Sequence, residues 1–500
     1  MYESRGLEPV PDSARVGRVR ELFPTWVAAN ISVLLLTMGA SLVVLHGLNF
    51  WQVLVVAAAA PVVSYGIVGL VSIAGKRGGA PGMALSRAAF GQRGNLLPGA
   101  VIWVARWGWE AVNAVTGAYA LLTVADLLFG LRNGGLPSVV ALLLFVGGTF
   151  LVSGLGIGAL RWCCRWSAYL FGAFSLLVLG HLVARTDWAG VFGRPSGPVA
   201  LMVVGVGTLT AGAISWAPSA PDFTRYLPRR ASGAAVVGAT VAGAFVVVVP
   251  LVLMGAVMAE SLPGLASTRD PVSFIGELLP VWLSVPYLLI ALVGTLLINA
   301  LSMYSAGFTA QTLGFRLPRA WAVGLNAVIS AVAGGVLMLV AQGFLAAFVS
   351  FLTLLGVAFS AWIGVFGADM LRRGTYDAGA LLDTSRSSGY WYRGGFAWWA
   401  VAGWGAGLAV GLLFTRVEWF AGPLAGSWPG RHGLGWVLTA GVAASVYGAG
   451  ALPGGPARLR ARPSARRRGR ARGPGRPAAP ARAEEAGRGS RKNEERGSGD

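Results

Sequence analysis

The stretch GVGTLTAGAISWAPSAPDFTRYLP, residues 205–228, decides how this chain is read. It starts as an apolar helix and cannot finish as one. Gly205, Gly207 and Gly212 loosen it, and Pro218 and Pro221 each remove a backbone donor and crowd the preceding turn. A membrane-crossing helix needs about 20 mainly apolar residues. Irregular backbone at that depth survives only where it is buried in protein or lines a cavity. A second run, TWVAANISVLLLTMGASLVVLHG (25–47), carries Thr37, Gly39, Ala40 and Ser41 at its middle. Alone, that cluster also fits small-residue packing between helices. Paired with 205–228 it reads as a second interrupted helix, and interruptions at corresponding places in two halves point to a transport site.

Outward from these two runs, the apolar segments predict twelve spans. They lie near 25–47, 51–73, 96–128, 137–158, 166–184, 198–217, 234–260, 283–312, 320–341, 344–367, 395–415 and 433–452. The interrupted runs are first and sixth, five apart. That spacing predicts an all-α membrane protein with a five-plus-five inverted repeat of the leucine-transporter type and two appended helices. Composition agrees: AVILMFWYC make up 55% of the 500 residues and DEKR only 12%, where soluble domains are about 25% charged. Three regions are expected: 1–24, a cytoplasmic N-terminal segment; 25–452, the transporter; and 453–500, a disordered Arg-rich tail.

Charge placement sets the expected orientation. With the N-terminus inside, the inner loops before the tail hold 19 Lys/Arg and the outer loops six, the bias that the positive-inside rule describes. The outer six are Arg132, Arg185, Arg194, Arg269, Arg416 and Arg431. An even span number then puts both termini in the cytoplasm, and the expected location is the plasma (inner) membrane. From residue 454 the chain holds 14 basic and 5 acidic residues, so a large part of the net +20 sits in the tail. That distribution argues against a nucleic-acid partner and allows contact with anionic lipid.

The same inventory excludes chemistry. Neither lysine, Lys76 or Lys492, lies in a phosphate-binding loop. Adjacent Cys163 and Cys164 make no zinc or disulfide framework, and His46, His181 and His432 are scattered. GLGIGA (154–159) lacks the strand and acidic partner of a dinucleotide turn. No helix carries paired catalytic acids, so neither an enzyme nor a cofactor is expected. A channel would show a filter rather than paired broken helices. A membrane sensor built on a transporter remains as a non-transporting alternative. No cleavable signal peptide is visible in the charged first twenty residues.

Two charges fall inside the third span: Arg106, and Glu110 four residues on. Intramembrane charge is costly and by default functional, and the spacing allows an i,i+4 ion pair. A structural pair inside the bundle is the competing reading.

Four stretches resemble the nucleobase–cation symporter-1 family of cytosine, purine, uracil, allantoin, hydantoin and thiamine-precursor permeases. They are GGAPGMALSRAAFGQRGNLLPG (78–99), WVARWGWEAVNAVTGAYALL (103–122), SWAPSAPDFTRYLP (215–228) and, more loosely, NALSMYSAGF (299–308). The resemblance implies a symporter that imports a planar heterocycle with Na⁺ or H⁺ by alternating access. It implies that Trp109 stacks on the substrate, a geometry suited to a flat heteroaromatic. It places polar Asn113 one turn later, matching an amide edge, and Ser215 in span six. Ala213 stands where many members have an aromatic, so Trp216 is the candidate second plate. Span eight offers Asn299 and Ser302. Arg106 replaces a Gln of cytosine permeases; because Arg only donates, it favours a carbonyl-rich or anionic substrate face over cytosine. The cation site is implied at the carbonyls of Gly39 and Val43 with Thr295 and Ser302, whose neighbours Leu296 and Leu297 depart from the family's hydroxyls. Glu110 and Asp222 are candidate proton carriers, although Asp222 also reads as a cap or partner of Arg225.

Overall fold

The first apolar run folds as two helices with a gap between them. Helix α1 (Leu22–Ala28) stops at Ala29, and α2 (Leu34–Val44) restarts five residues later. Asn30 and Ser32 explain the gap, since such side chains offer the backbone alternatives to helical bonding. The Asn30 amide donates to the Trp26 carbonyl (2.8 Å), and the Leu34 amide donates to Ser32 Oγ (3.2 Å). The Tyr65 hydroxyl donates to Asn30 Oδ1 (2.6 Å), which locks the gap to the next helix. The break therefore lies at 29–33, not at Thr37–Ser41. Those residues are regular helix, and Gly39 serves packing. A Cβ at Gly39 would sit 1.9 Å from the Val252 carbonyl oxygen, and one at Gly255 would sit 1.9 Å from that of Leu36.

The computed structural model describes residues 6–131, 134–154, 157–261, 272, 279–315, 318–340 and 344–450. The Arg-rich tail, Arg132, Arg269, Arg316 and the middle of GLGIGA lie outside these. After α2 come α3 (Phe50–Gly78), a short loop helix α4 (Gly82–Phe90), α5 (Leu96–Phe129), α6 (Gly135–Gly154) and α7 (Ile157–Arg185). Next are α8 (Trp188–Gly193), α9 (Val199–Ile214), α10 (Ala220–Thr224) and α11 (Gly233–Ser261). The remainder is α12 (Val281–Thr312), α13 (Arg319–Val340), α14 (Phe344–Arg372), α15 (Ala378–Leu382), α16 (Trp398–Leu413), α17 (Trp428–Arg431) and α18 (Gly435–Gly450). A two-residue hairpin pairs Arg416–Val417 with Phe420–Ala421.

Eight of these helices are long and apolar enough to cross a membrane; α2, α9 and α16 are shorter apolar helices. The outer faces of α6 and α7 are bare: Leu144, Leu151 and Leu176 are each more than 60% exposed. A soluble protein would not display so much contiguous apolar surface; lipid would cover it. Packing sorts the helices into groups. Helix α11 lies on α2 and α3, α5 lies on α12 and α13, and α16 pairs with α18.

The sixth run breaks where its prolines predict. Helix α9 ends at Ile214, residues 215–219 turn, and α10 begins with Pro221 in its first turn, where a missing N–H costs nothing. Helix α7 starts nine residues before the expected span, so Arg161, Cys163, Cys164 and Arg165 are helical rather than loop. Arg161 gives the early start its anchor, bonding Glu21 (3.1 Å) and the Phe223 carbonyl (3.1 Å).

Candidate functional site

Both breaks open onto one cavity of about 110 Å³, well above the ~10–15 Å³ that holds a water. Ala29, Asn30 and Ser32 line it from the first break, and Gly212, Ser215 and Trp216 from the second. Helix α5 supplies Arg106, Trp109 and Asn113. Their spacing of three and four puts them on one helix face, so the sequence alone fixes that they point together.

Trp109 spans the cavity wall. Its ring meets Phe348 edge-on at 5.8 Å and 82°, and Phe351 at 5.8 Å and 69°. Its far edge reaches α9, where a Cβ on Gly212 would lie 3.7 Å from it. The Trp109 ring nitrogen has no partner among the described residues. Asn113 is buried, with no side-chain hydrogen bond among the described residues. Trp216 lines the cavity but packs edge-on against Trp26 (6.1 Å, 85°) and tilts on Phe223. Ser215 Oγ donates to the Gly212 carbonyl (2.6 Å), capping the end of α9.

Arg106 and Glu110 do not form the expected direct pair; among the described residues no Arg106–Glu110 ion pair is present. Ser302 stands between them. Its hydroxyl accepts from Arg106 Nη1 (3.4 Å) and donates to Glu110 Oε1 (3.1 Å). Ser330 donates to Glu110 Oε2 (3.0 Å). The carboxylate thus turns away from the cavity and ties α5 to α12 and α13. Arg106 stays on the cavity wall, 4% exposed, with Nε and Nη2 unpartnered among the described residues.

Other expected residues fall elsewhere. Asn299 is fully buried one turn before Ser302 but is not on the cavity wall, and both of its amide atoms lack partners among the described residues. Gly39 and Val43 are also off the wall. The Val43 carbonyl, in the last turn of α2, is taken by the Gly47 amide just past the helix end (3.1 Å) and by Arg194 (3.1 Å). Thr295 bonds back to the Ala291 carbonyl (2.9 Å). Its neighbour Gly294 lies against the first break: a Cβ there would meet Ile31 Cγ2 at 2.1 Å and the Ile31 carbonyl at 3.1 Å.

Among the described residues Asp222 makes no direct ion pair with Arg225. It accepts from the Gly82 amide at the start of α4 (2.7 Å) and from Ser305 Oγ on α12 (2.5 Å). Arg225 instead donates to the Gly6 carbonyl (3.0 Å) and lies 4.5 Å from the Phe308 ring centre. Helix α4 is buried throughout. Arg87 fastens it by donating to the carbonyls of Leu381 (2.8 Å) and Thr312 (3.1 Å), and burial pushes its guanidinium down to about 10.

Sequence reasoning missed Asn30, Ser32, Tyr65 and Phe348 as wall residues. The signal for Asn30 was available as a lone amide in an apolar run; Phe348 carries none.

The chain matches the family model described as a permease for cytosine/purines, uracil, thiamine and allantoin over residues 9–437. It is 25% identical over 470 residues to the putative purine-cytosine permease YxlA of Bacillus subtilis (strain 168), covering 89% of this chain and 95% of that protein. It is 25% identical over 277 residues to the purine-cytosine permease FCY2 of Saccharomyces cerevisiae, covering 54% of this chain and 49% of that one. Among solved structures, the fold is similar to Mhp1, a nucleobase-cation-symport-1 family transporter, in a closed conformation with bromovinylhydantoin bound. The TM-score is 0.72 at 21% identity, covering 89% of this chain and 94% of that one. For inward-facing Mhp1 the TM-score is 0.66 at 19% identity, covering 89% and 95%. With the family model spanning most of its length, this chain belongs to the cytosine/purine, uracil, thiamine and allantoin permease family and is a multi-pass membrane transporter.

Proposed function

We propose that the protein is a secondary active symporter that imports a nucleobase-like planar heterocycle with a cation by alternating access. The observation that carries this is the convergence of two helix breaks and the Arg106–Trp109–Asn113 face on one cavity. Trp109 would offer its indole face for offset stacking. Asn113 would supply a donor and an acceptor to the heterocycle's edge. Ser302, Ser215 and Trp216 would complete the wall.

The twelve-span, five-plus-five arrangement with two appended helices belongs to this reading. So do a plasma-membrane location, cytoplasmic termini and an Arg-rich cytoplasmic tail. For sodium, the support moves from Gly39 and Val43 to the Ile31 carbonyl at the first break, which accepts no backbone hydrogen bond among the described residues and abuts Gly294 beside Thr295; hard cations take oxygen ligands. For a proton, Glu110 is the candidate, set on two hydroxyls between three helices.

Uptake measured for hypoxanthine, cytosine, uracil, allantoin, hydantoin and hydroxymethylpyrimidine tests the reading. Trp109→Ala is expected to abolish uptake of whichever is taken, with membrane expression retained. Unchanged uptake in that variant would overturn the site. Removing sodium and adding a protonophore in separate runs assigns the ion.

A further inference from the structure

We infer that Arg106 selects the substrate by its edge: it takes a ring that presents two adjacent acceptors, a carbonyl oxygen beside an unprotonated ring nitrogen, as at O6 and N7 of a 6-oxopurine. The inference rests on the transport reading above and names its substrate class.

The argument starts from which guanidinium nitrogens are in use. Nη1 is engaged with Ser302 (3.4 Å). Nε and Nη2 are buried and unpartnered among the described residues. These two share one side of the planar group, so their N–H bonds run parallel and form a two-donor edge. Buried donors left unpaired are costly, and a charged pair more so. Among the described residues no carboxylate pairs with this edge: Glu110 is turned onto Ser302 and Ser330, and Asp222 onto the Gly82 amide and Ser305. Arg106 is a wall residue of the cavity that Trp109 and Asn113 also line. A ligand stacked there has one way to satisfy the edge, namely two neighbouring acceptors in its own plane. Bidentate contact with O6 and N7 is the commonest way in which arginine reads guanine in the major groove of DNA.

The same rule predicts what is refused. Adenine replaces O6 with an amino group, setting donor against donor beside N7. Uracil flanks each carbonyl with a ring N–H. Cytosine presents the pair at O2 and N3, so this edge does not exclude it, which narrows the expectation from sequence. Lysine would keep the charge but lose the edge.

The test uses the full-length protein in proteoliposomes, with radiolabelled hypoxanthine competed by adenine and by 7-deazahypoxanthine. In the wild type, each competitor should be at least about tenfold weaker than unlabelled hypoxanthine, the discrimination that one bidentate contact supplies. Arg106→Gln should bring the hypoxanthine and adenine affinities to within a few-fold of each other, and Arg106→Lys should not restore the preference. The 7-deaza comparison needs no variant, so a folding failure at position 106 leaves the test intact. Competition by adenine or by 7-deazahypoxanthine as strong as that of unlabelled hypoxanthine in the wild type would overturn the inference, as would a preference that survives Arg106→Gln. If Trp109-dependent uptake is found without any acceptor preference, only this inference falls. If no heterocycle is taken up at all, the transport reading falls with it.

Discussion

Ser302 does more at the residue scale than its size suggests. It accepts from a buried cation and donates to a buried anion, standing between two charges that the i,i+4 spacing had placed in direct contact. Helical spacing shows which residues can meet; it does not show that a second helix inserts a hydroxyl between them. Ser302 and Ser330 both serve Glu110, but only Ser302 lines the cavity. This separates their expected effects. Ser330→Ala strips one partner from a buried carboxylate, a loss of about 1–3 kcal/mol. It should lower the thermal midpoint in detergent while leaving the ranking of substrates unchanged. Ser302→Ala should lower the midpoint and also alter the ranking, because it releases Arg106. A changed ranking in Ser330→Ala would show that Glu110 acts on the substrate directly.

At the scale of the element, the two interrupted helices were unequally legible. The break at 215–219 follows from Pro218 and Pro221, which act locally through a missing donor and a steric clash. The break at 29–33 has neither proline nor glycine; it combines local bonds of Asn30 and Ser32 with a clasp from Tyr65 on the next helix. The local part is carried by the residues themselves, but the clasp is tertiary and invisible until the helices are packed. Small residues at 37–41 misled for a related reason: glycine marks either an interruption or a close approach, and here α2 and α11 touch backbone to backbone at Gly39 and Gly255. The face bearing Arg106, Trp109 and Asn113 was readable because it needs only helical periodicity. Phe348 was not, because it is one of several phenylalanines on α14 and nothing in the sequence marks it out from Phe351, Phe359 or Phe366. Gly39→Ala should therefore fail by overpacking, at about 1–3 kcal/mol or more, read as a lowered yield of monodisperse protein. Ala40→Gly, its neighbour, should cost about 1 kcal/mol through helix propensity alone. Equal behaviour of the two would contradict the close approach.

At the scale of the whole molecule, Asp222 joins parts that the proposed cycle must separate. It sits on α10, just past the second break, and holds the start of α4 and Ser305 of α12 at once. If the helix groups rock against each other, this joint opens once per cycle. Asp222→Asn should bias the protein toward the open state at that end. A cysteine at the fully buried Ser219 position, with Cys163 and Cys164 replaced by alanine, should then be alkylated several-fold faster than with Asp222 present. An unchanged rate would mean that the joint does not gate this end. The wall chemistry has a further consequence for energetics. A fixed guanidinium faces the cavity while the Glu110 carboxylate on the same helix is turned onto Ser302 and Ser330, so a bare metal cation entering the same space would meet like charge in a poorly screened setting. On the sodium-symport reading, driving ion and cargo would then need separate lodgings. Neither would neutralise the other by touch, and their coupling would travel through the shared backbone of the first break. The protein would work as a mechanical linkage rather than as a carrier of ion pairs.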